Sequence, residues 1–124
     1  YTDAQSLLDK VSQQNEIEDY KLEDDIVKLL KEENWGRYAD KKTGDMHLCF
    51  ISDNDITGGN SGSPMFNGKG ELIGLAFDGN WEAMSGDISF DKSLQRCIGV
   101  DIRYVLYLME KWGGADNLIK ELGY

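Results

Sequence analysis

The sequence predicts an α+β fold in which an antiparallel sheet is flanked by N- and C-terminal helices. Apolar residues recur at helical spacing near both ends of the chain, whereas the middle contains short apolar runs separated by glycine-rich turns. A chain of 124 residues is long enough to bury one hydrophobic core. We therefore predict a helical lead-in segment at residues 1–45, followed at residues 46–124 by the sheet and a C-terminal helix.

Two helices are predicted in the lead-in segment. The first covers Thr2 to Gln14, and the second covers Leu22 to Asn34, where aspartates in the first turn suit the helix dipole. The apolar faces consist of Leu7, Leu8 and Val11 in the first helix and of Leu22, Ile26, Leu29 and Leu30 in the second. We expect Trp35 and Tyr38 to pack back onto the core.

The middle of the chain is predicted to form strands. Met46 to Ser52 is one strand, and Ser63 to Asn67 with Glu71 to Phe77 forms a hairpin around Asn67-Gly68. Residues 78–90 are predicted to be a loop that carries Trp81, and Arg96 to Asp101 is a further strand.

The end of the chain is predicted to be helical. Apolar residues from Ile102 to Trp112 define an amphipathic helix that Gly113-Gly114 ends. Leu118, Ile119 and Leu122 suit one or two last helical turns.

The candidate site is the segment Thr57 to Pro64, which reads Thr-Gly-Gly-Asn-Ser-Gly-Ser-Pro. Ser61 lies between small residues that let the backbone turn tightly and let a substrate carbonyl come close. We interpret Ser61 as a candidate nucleophile, with the N–H groups of Gly59 and Ser61 as a candidate oxyanion hole. The alternative interpretation is a plain turn between two strands.

The residues around Ser61 resemble a known peptidase signature. Gly-Asn-Ser-Gly-Ser-Pro is similar to the Gly-Asp-Ser-Gly-Gly-Pro signature of chymotrypsin-like serine peptidases, and a hairpin follows in both. The longer string from Asp53 to Asp87, together with Val100 to Leu106, resembles the bacterial dipeptidyl-peptidase 7/11 family, peptidase family S46. The resemblance implies an antiparallel chymotrypsin-like half β-barrel and a serine dipeptidyl aminopeptidase that releases N-terminal dipeptides.

The resemblance also implies that part of the catalytic machinery lies outside this sequence. His47 is the only histidine and precedes Ser61 by only 14 residues, which is the wrong place for the base in a chymotrypsin-like order. Members of the family are several times longer. We therefore interpret the chain as a C-terminal fragment whose catalytic His and Asp lie upstream, and we expect the isolated fragment to be inactive.

Three residues are candidates for substrate binding. By resemblance, Gly79 opens the S1 pocket, because family members that prefer bulky apolar P1 residues have glycine here and those that prefer Asp or Glu have arginine. Asp78 is a candidate partner for the substrate α-ammonium group, and Phe77 is a candidate pocket wall. The alternatives are a turn glycine, a solvated loop aspartate and a core phenylalanine, respectively.

Composition limits the other function classes. The net charge of -10, from 23 acidic and 13 basic residues, argues against nucleic-acid binding, and no apolar run is long enough to span a membrane. With one histidine, a zinc site is not expected, and we predict no metal or organic cofactor. Cys49 and Cys97 are predicted to be buried thiols, with a disulfide as the alternative.

The expected partner is a peptide with a free N-terminus. The resemblance implies a bacterial periplasmic or envelope location, and exposed strand edges predict that the fragment forms an oligomer. Two other functions stay open at this point: a non-catalytic peptide-binding or docking module, and a chymotrypsin-like endopeptidase.

Overall fold

The computed structural model describes residues 1–14, 16–85 and 91–124. These residues form four α-helices, five β-strands and three short 3₁₀ turns. The helices are α1 (Ala4–Gln13), α2 (Asp24–Lys31), α3 (Ile102–Lys111) and α4 (Asp116–Glu121). The strands are β1 (Thr2–Asp3), β2 (His47–Ser52), β3 (Pro64–Phe66), β4 (Leu72–Gly79) and β5 (Cys97–Asp101). The 3₁₀ turns are Glu18–Tyr20, Gly36–Tyr38 and Trp81–Ser85.

The strands form one open sheet in the order β1-β2-β5-β4-β3. The pairs β2–β5, β4–β5 and β3–β4 are all antiparallel. The α+β prediction with an antiparallel sheet is therefore confirmed, whereas the relation to a chymotrypsin-like half-barrel stays a prediction.

The chain divides into two compact units, one formed by Tyr1 and residues 48–102 and the other by residues 2–47 and 103–124. The C-terminal helices thus group with the lead-in helices, although they are far apart in sequence. The predicted boundary between residues 45 and 46 stays a prediction.

The hydrophobic core of the first unit lies on one face of the sheet. Its buried cluster is Met65, Ala76 and Cys97, and the partly buried residues Phe50, Ile56 and Ile73 pack against it. Glycines on β4 and β5 leave room for the ring of Phe50 next to the backbone. A Cβ on Gly74 would lie 2.7 Å from the Phe50 ring, and a Cβ on Gly99 would lie 3.1 Å from it. Larger residues at these two positions would displace the ring.

The second unit packs its helices around Tyr107, which is fully buried together with Leu30 and Met46. The rings of Trp35 and Tyr38 meet the Tyr107 ring edge-on, with centroids 5.6 and 6.1 Å away. The prediction that Trp35 and Tyr38 pack onto the core is therefore confirmed.

Glu110, on α3, is the centre of a polar cluster in the second unit. Its carboxylate accepts hydrogen bonds from the Tyr38 hydroxyl and from Arg37, and it pairs with Lys111 at 2.9 Å. These partners, the Tyr38 hydroxyl first among them, lower the pKa of Glu110 to about 2.

Capping residues bound α1 and α3, and the predicted end of α3 at Gly113-Gly114 is confirmed. Asp3 caps α1 by accepting the N–H of Ser6 at 2.9 Å. Gly114, at φ +58°, ends α3, and the N–H of Gly113 donates to the carbonyl of Leu108 at 2.8 Å. None of the described helices is long and apolar enough to cross a membrane.

The hairpin between β3 and β4 is confirmed, and its tight turn closes at Gly70. The N–H of Gly70 donates to the carbonyl of Asn67 at 2.9 Å, and Gly70 has φ +79°. The Asn67 side chain accepts the N–H groups of Lys69 and Glu71 across the turn.

The predicted loop at residues 78–90 is wrong over most of its described part. Asp78 and Gly79 belong to β4, and Trp81–Ser85 is a 3₁₀ turn. Residues 86–90 lie outside the described residues. Strand β4 extends to Gly79 because Asp78 and Gly79 pair with β5. The local sequence does not indicate this long-range pairing.

The two cysteines lie on opposite faces of the sheet and do not form a disulfide. Cys49 is opposite Val100, whereas Cys97 is opposite Ser52, and residues directly opposite share a face. Neither cysteine is in a disulfide, as predicted, but burial is confirmed only for Cys97, which is fully buried, because Cys49 is half-buried.

Candidate functional site

Ser61 lies in two consecutive tight turns, which we call the Ser61 loop (residues 57–63). The N–H of Asn60 donates to the carbonyl of Thr57 at 3.2 Å, and the N–H of Ser63 donates to the carbonyl of Asn60 at 2.9 Å. The third residue of each turn is a glycine with positive φ, +96° at Gly59 and +87° at Gly62. Such turns require glycine at that position, so the predicted role of the two glycines is confirmed.

The Asn60 side chain braces the first of these turns. Its Oδ1 accepts the N–H of Thr57 at 2.8 Å and lies 3.4 Å from the Thr57 hydroxyl. Together with the main-chain bond from Asn60 to Thr57, this closes the turn from both sides. This role of Asn60 was not predicted from the sequence, although an asparagine next to glycine in a turn is a recognised signal for it.

Two hydrogen bonds attach the Ser61 loop to β4. The N–H of Gly62 donates to the carbonyl of Ala76 at 2.7 Å, and the N–H of Ala76 donates to the carbonyl of Ser63 at 2.9 Å. Ser61 is therefore held beside the last residues of β4, which are Phe77, Asp78 and Gly79.

The groups proposed to act on a substrate are available for binding. The Ser61 residue is exposed, and its hydroxyl makes no hydrogen bond to any described residue. Likewise, no acceptor in the described part of the chain takes the N–H of Gly59 or of Ser61. Two unused main-chain donors beside an exposed hydroxyl suit an oxyanion hole, and this role stays a prediction.

A pocket of about 250 Å³, which we call the Ser61 pocket, opens beside the hydroxyl. It brings together four of the five predicted site residues, Ser61, Phe77, Asp78 and Gly79, whereas Gly59 contributes to the loop but not to the lining. The other lining residues are Ile56, Thr57, Gly58, Asn80 and Ala83. None of the nine is lysine or arginine.

A β-bulge at Phe77 shapes this pocket. Ala76 is opposite Gly99, whereas the next paired residue is Asp78, opposite Ile98, so Phe77 is the extra residue. As a result Gly79, rather than Asp78, is opposite the buried Cys97 and shares its face of the sheet. The bulge therefore keeps the Asp78 carboxylate off the core face, where an uninterrupted strand would place it.

Gly79 is a glycine because space is short, not because the chain turns there. It lies inside β4 and does not have positive φ, so the alternative of a turn glycine is wrong. A Cβ on Gly79 would lie 2.8 Å from the Cβ of Ala83 and 3.4 Å from Cγ2 of Ile56. Both of these residues line the Ser61 pocket, so a side chain at position 79 would project among them.

Phe77 and Asp78 are both exposed at the pocket. Phe77 is 47% exposed, so its alternative as a core residue is wrong. Asp78 Oδ1 accepts the N–H of Gly79 at 2.8 Å, which fixes the carboxylate at the end of β4. Their roles toward a substrate stay predictions.

Asn80 anchors the end of β4 and was missed by the sequence analysis. Its N–H donates to the carbonyl of Arg96 at 3.0 Å, and its Oδ1 accepts the N–H of Arg96 at 2.8 Å. Its Nδ2 donates to the carbonyl of Leu94 at 2.8 Å. This role depends on pairing between two segments about sixteen residues apart, and local sequence patterns do not indicate such pairing.

His47 belongs to a polar cluster of the second unit. Its ring lies 3.3 Å from the Thr43 hydroxyl and 3.4 Å from Nη2 of Arg103. Arg103 also donates to Asp40 at 2.9 Å and holds the pKa of that carboxyl well below its usual range. These contacts hold the His47 ring within the second unit. The exclusion of His47 as the catalytic base stays a prediction.

Among the described residues, no group of three or more His, Cys, Asp or Glu could hold a metal ion.

Comparison with known proteins adds independent evidence. The model of the family Peptidase S46 matches residues 1–124. The chain is 56% identical over 123 residues to dipeptidyl-peptidase 7 of Porphyromonas endodontalis, which covers 98% of this chain and 14% of that protein. It is 42% identical over 124 residues to the Asp/Glu-specific dipeptidyl-peptidase of Porphyromonas gingivalis, covering 98% of this chain and 17% of that protein.

The fold agrees with solved structures. The crystal structure of Porphyromonas endodontalis DPP11 in complex with the dipeptide Arg-Glu superposes with a TM-score of 0.88 at 38% identity. The match covers 98% of this chain and 17% of that one, so the chain spans about a sixth of the length of such proteins. Matches of sequence and of structure both extend over nearly the whole chain, and the chain belongs to the peptidase S46 family.

Proposed function

We propose that this chain supplies the nucleophile and one wall of the substrate pocket of a serine-type dipeptidyl aminopeptidase. The observation that carries the proposal is the Ser61 pocket, where an exposed serine hydroxyl faces residues at the end of β4. Relatives of the family are dipeptidyl-peptidases by name. The hairpin of β3 and β4 directly after the Ser61 loop also supports a relation to the chymotrypsin-like half-barrel.

In the proposed reaction, the Oγ of Ser61 attacks the scissile carbonyl of the peptide. The N–H groups of Gly59 and Ser61 stabilise the negative charge on the carbonyl oxygen, the amine leaves, and a dipeptidyl ester forms on Ser61. Water then hydrolyses this ester. A serine hydroxyl needs a general base, and we propose that the base and its orienting carboxylate lie in the part of the enzyme outside these 124 residues.

Chemistry around the pocket suggests how a substrate is held. We place the P1 side chain in the Ser61 pocket, where Ile56, Phe77 and Ala83 supply apolar surface. A pocket of about 250 Å³ is smaller than the 300–1,000 Å³ typical of whole ligands and suits one side chain. Since no basic residue lines it, we propose an apolar rather than acidic P1 residue.

The free N-terminus of the substrate distinguishes a dipeptidyl peptidase from an endopeptidase. We propose that the Asp78 carboxylate attracts the α-ammonium group, because it is exposed and lines the pocket. We further propose a periplasmic or envelope location, which rests on the family resemblance alone.

The test compares Ser61→Ala with Ser63→Ala in the intact enzyme that carries this sequence. Ser63 lies in the same loop and holds it through main-chain atoms only, so its hydroxyl is a matched control. We expect Ser61→Ala to lower kcat by several orders of magnitude and Ser63→Ala to leave it nearly unchanged. Equal activity of the Ser61→Ala variant and the wild type would contradict the proposal.

Substrates with free and with acetylated N-termini separate the alternatives. A dipeptidyl peptidase cleaves only the free form, whereas an endopeptidase cleaves both. A peptide-binding module binds the peptide and cleaves neither.

A further inference from the structure

Ala83 and Gly79 lie next to each other in the lining of the Ser61 pocket. A Cβ on Gly79 would lie 2.8 Å from the Cβ of Ala83, closer than real side chains approach each other. On its other sides it would meet Ile56 Cγ2 at 3.4 Å and the carbonyl oxygen of Arg96 at 3.6 Å. The bare glycine is what allows the 3₁₀ turn at Trp81–Ser85 to close against β4.

Hydrogen bonds fix the position of Ala83, so it cannot yield easily. The N–H of Ala83 donates to the carbonyl of Asn80 at 2.9 Å. Asn80 is itself held by three hydrogen bonds to Leu94 and Arg96, all between 2.8 and 3.0 Å. Moving Ala83 away from β4 would strain this network.

We propose that Ala83 is a second specificity-determining residue, whose size sets the depth of the Ser61 pocket and limits which residue position 79 can accept. The proposal rests on the proposed function, since it assumes that the P1 side chain enters this pocket. A larger residue at position 83 takes up part of the pocket volume. A side chain at position 79 is tolerated only when residue 83 is reduced to glycine.

The first experiment changes the pocket depth in the intact enzyme. It measures kcat/KM for two matched dipeptidyl substrates, one with Phe and one with Ala at P1. We expect Ala83→Val to lower the Phe-to-Ala ratio by about tenfold or more, because one methylene in an apolar pocket changes selectivity by about 10–200-fold. We expect Ala83→Gly to raise the ratio.

Glu82→Gln is the matched control, because Glu82 is exposed on the same turn and does not line the pocket. This variant should leave the ratio unchanged. A ratio that stays constant in Ala83→Val and Ala83→Gly would overturn the proposal. If Ala83→Val does not fold, the Ala83→Gly result alone decides.

The second experiment is a double-mutant cycle with Gly79→Ala, Ala83→Gly and the double variant. We expect Gly79→Ala to lower kcat/KM for the Phe substrate by about tenfold, and Ala83→Gly to restore most of it when combined. The melting temperature should follow the same pattern. The proposal is contradicted if the effects of the two single substitutions on kcat/KM and on melting temperature are additive in the double variant.

Melting temperatures keep the two proposals distinguishable. If Ser61→Ala leaves dipeptide release unchanged, the proposed function fails, while the coupling between positions 79 and 83 is still measured by unfolding. If Ser61→Ala abolishes release and the cycle shows no coupling, the proposed function stands and the role of Ala83 fails.

Discussion

The Asn60 side chain is the most informative perturbation of the Ser61 loop. Asn60→Ala removes the 2.8 Å hydrogen bond from the Thr57 N–H and the longer contact to the Thr57 hydroxyl. Asn60 is exposed and does not line the Ser61 pocket, so its removal should change the geometry of the loop rather than the binding of substrate. Asn60→Asp keeps an oxygen acceptor for the same N–H and serves as the matched control.

The size of the effect follows from one good hydrogen bond. Its net contribution is about 0.5–1.5 kcal/mol, and about 1 kcal/mol lowers the ratio of braced to unbraced loop about fivefold. Complete loss of one oxyanion-hole donor costs about 100- to 1,000-fold in kcat, which sets an upper limit. We therefore expect kcat of Asn60→Ala to fall between about fivefold and about 100-fold, with a nearly unchanged KM.

The assay is steady-state release of a dipeptide from a chromogenic substrate by the intact enzyme, with the melting temperature measured in parallel. Asn60→Asp should retain most of the activity. The reasoning is refuted if Asn60→Ala has the wild-type kcat, or if it loses activity only through KM. Equal damage in Asn60→Asp and Asn60→Ala would also refute it.

Three further predictions concern stability and association. The folded-state pKa of Glu110 is lowered from 4.5 to about 2, mainly by the Tyr38 hydroxyl, so its stabilising effect should be lost as pH falls through this range. In urea unfolding at several pH values, the free energy of unfolding of Glu110→Gln should therefore fall less steeply at acid pH than that of the wild type. Gly74→Ala should destabilise the fold by about 1–3 kcal/mol, because the added Cβ would lie 2.4 Å from a carbonyl oxygen of β5. The control Gly68→Ala has open space around the added Cβ and should be nearly neutral in the same unfolding assay. The isolated 124-residue chain should release no dipeptide, and turnover that Ser61→Ala abolishes would contradict this. The chain should also associate through the edge strand β3, which carries the exposed Phe66, and a strict monomer in light scattering would contradict that.

Local patterns predicted most of the secondary structure. The helices were predicted because apolar spacing within ten residues determines an amphipathic face, as in α2 and α3. The Ser61 loop was predicted because Gly59 and Gly62 supply the positive φ that its two turns need.

Long-range pairing explains what the sequence analysis missed. The bulge at Phe77 depends on the register between β4 and β5, which lie about twenty residues apart, and it decides that Gly79 faces the core. The anchoring of Asn80 to Arg96 has the same origin. No local pattern signals that residues 2–47 and 103–124 pack as one unit.

Gly79 shows how the structure changes an expectation about specificity. From the family resemblance alone, glycine at this position is expected to select apolar P1 residues and arginine to select acidic ones. The structure adds a steric condition, because any side chain here meets Ala83 at 2.8 Å. We therefore expect Gly79→Arg to favour an acidic P1 residue efficiently only together with Ala83→Gly.

The central claim is that Ser61 is the nucleophile, and covalent labelling tests it most directly. The intact enzyme is treated with a serine-directed fluorophosphonate until dipeptide release stops, then digested, and the modified peptide is sequenced by mass spectrometry. We predict a single phosphonyl group on Ser61, formed at the same rate as activity is lost, and no labelling of the neighbouring Ser63. Complete inactivation with Ser61 unmodified, or full labelling of Ser61 with dipeptide release intact, would contradict the account.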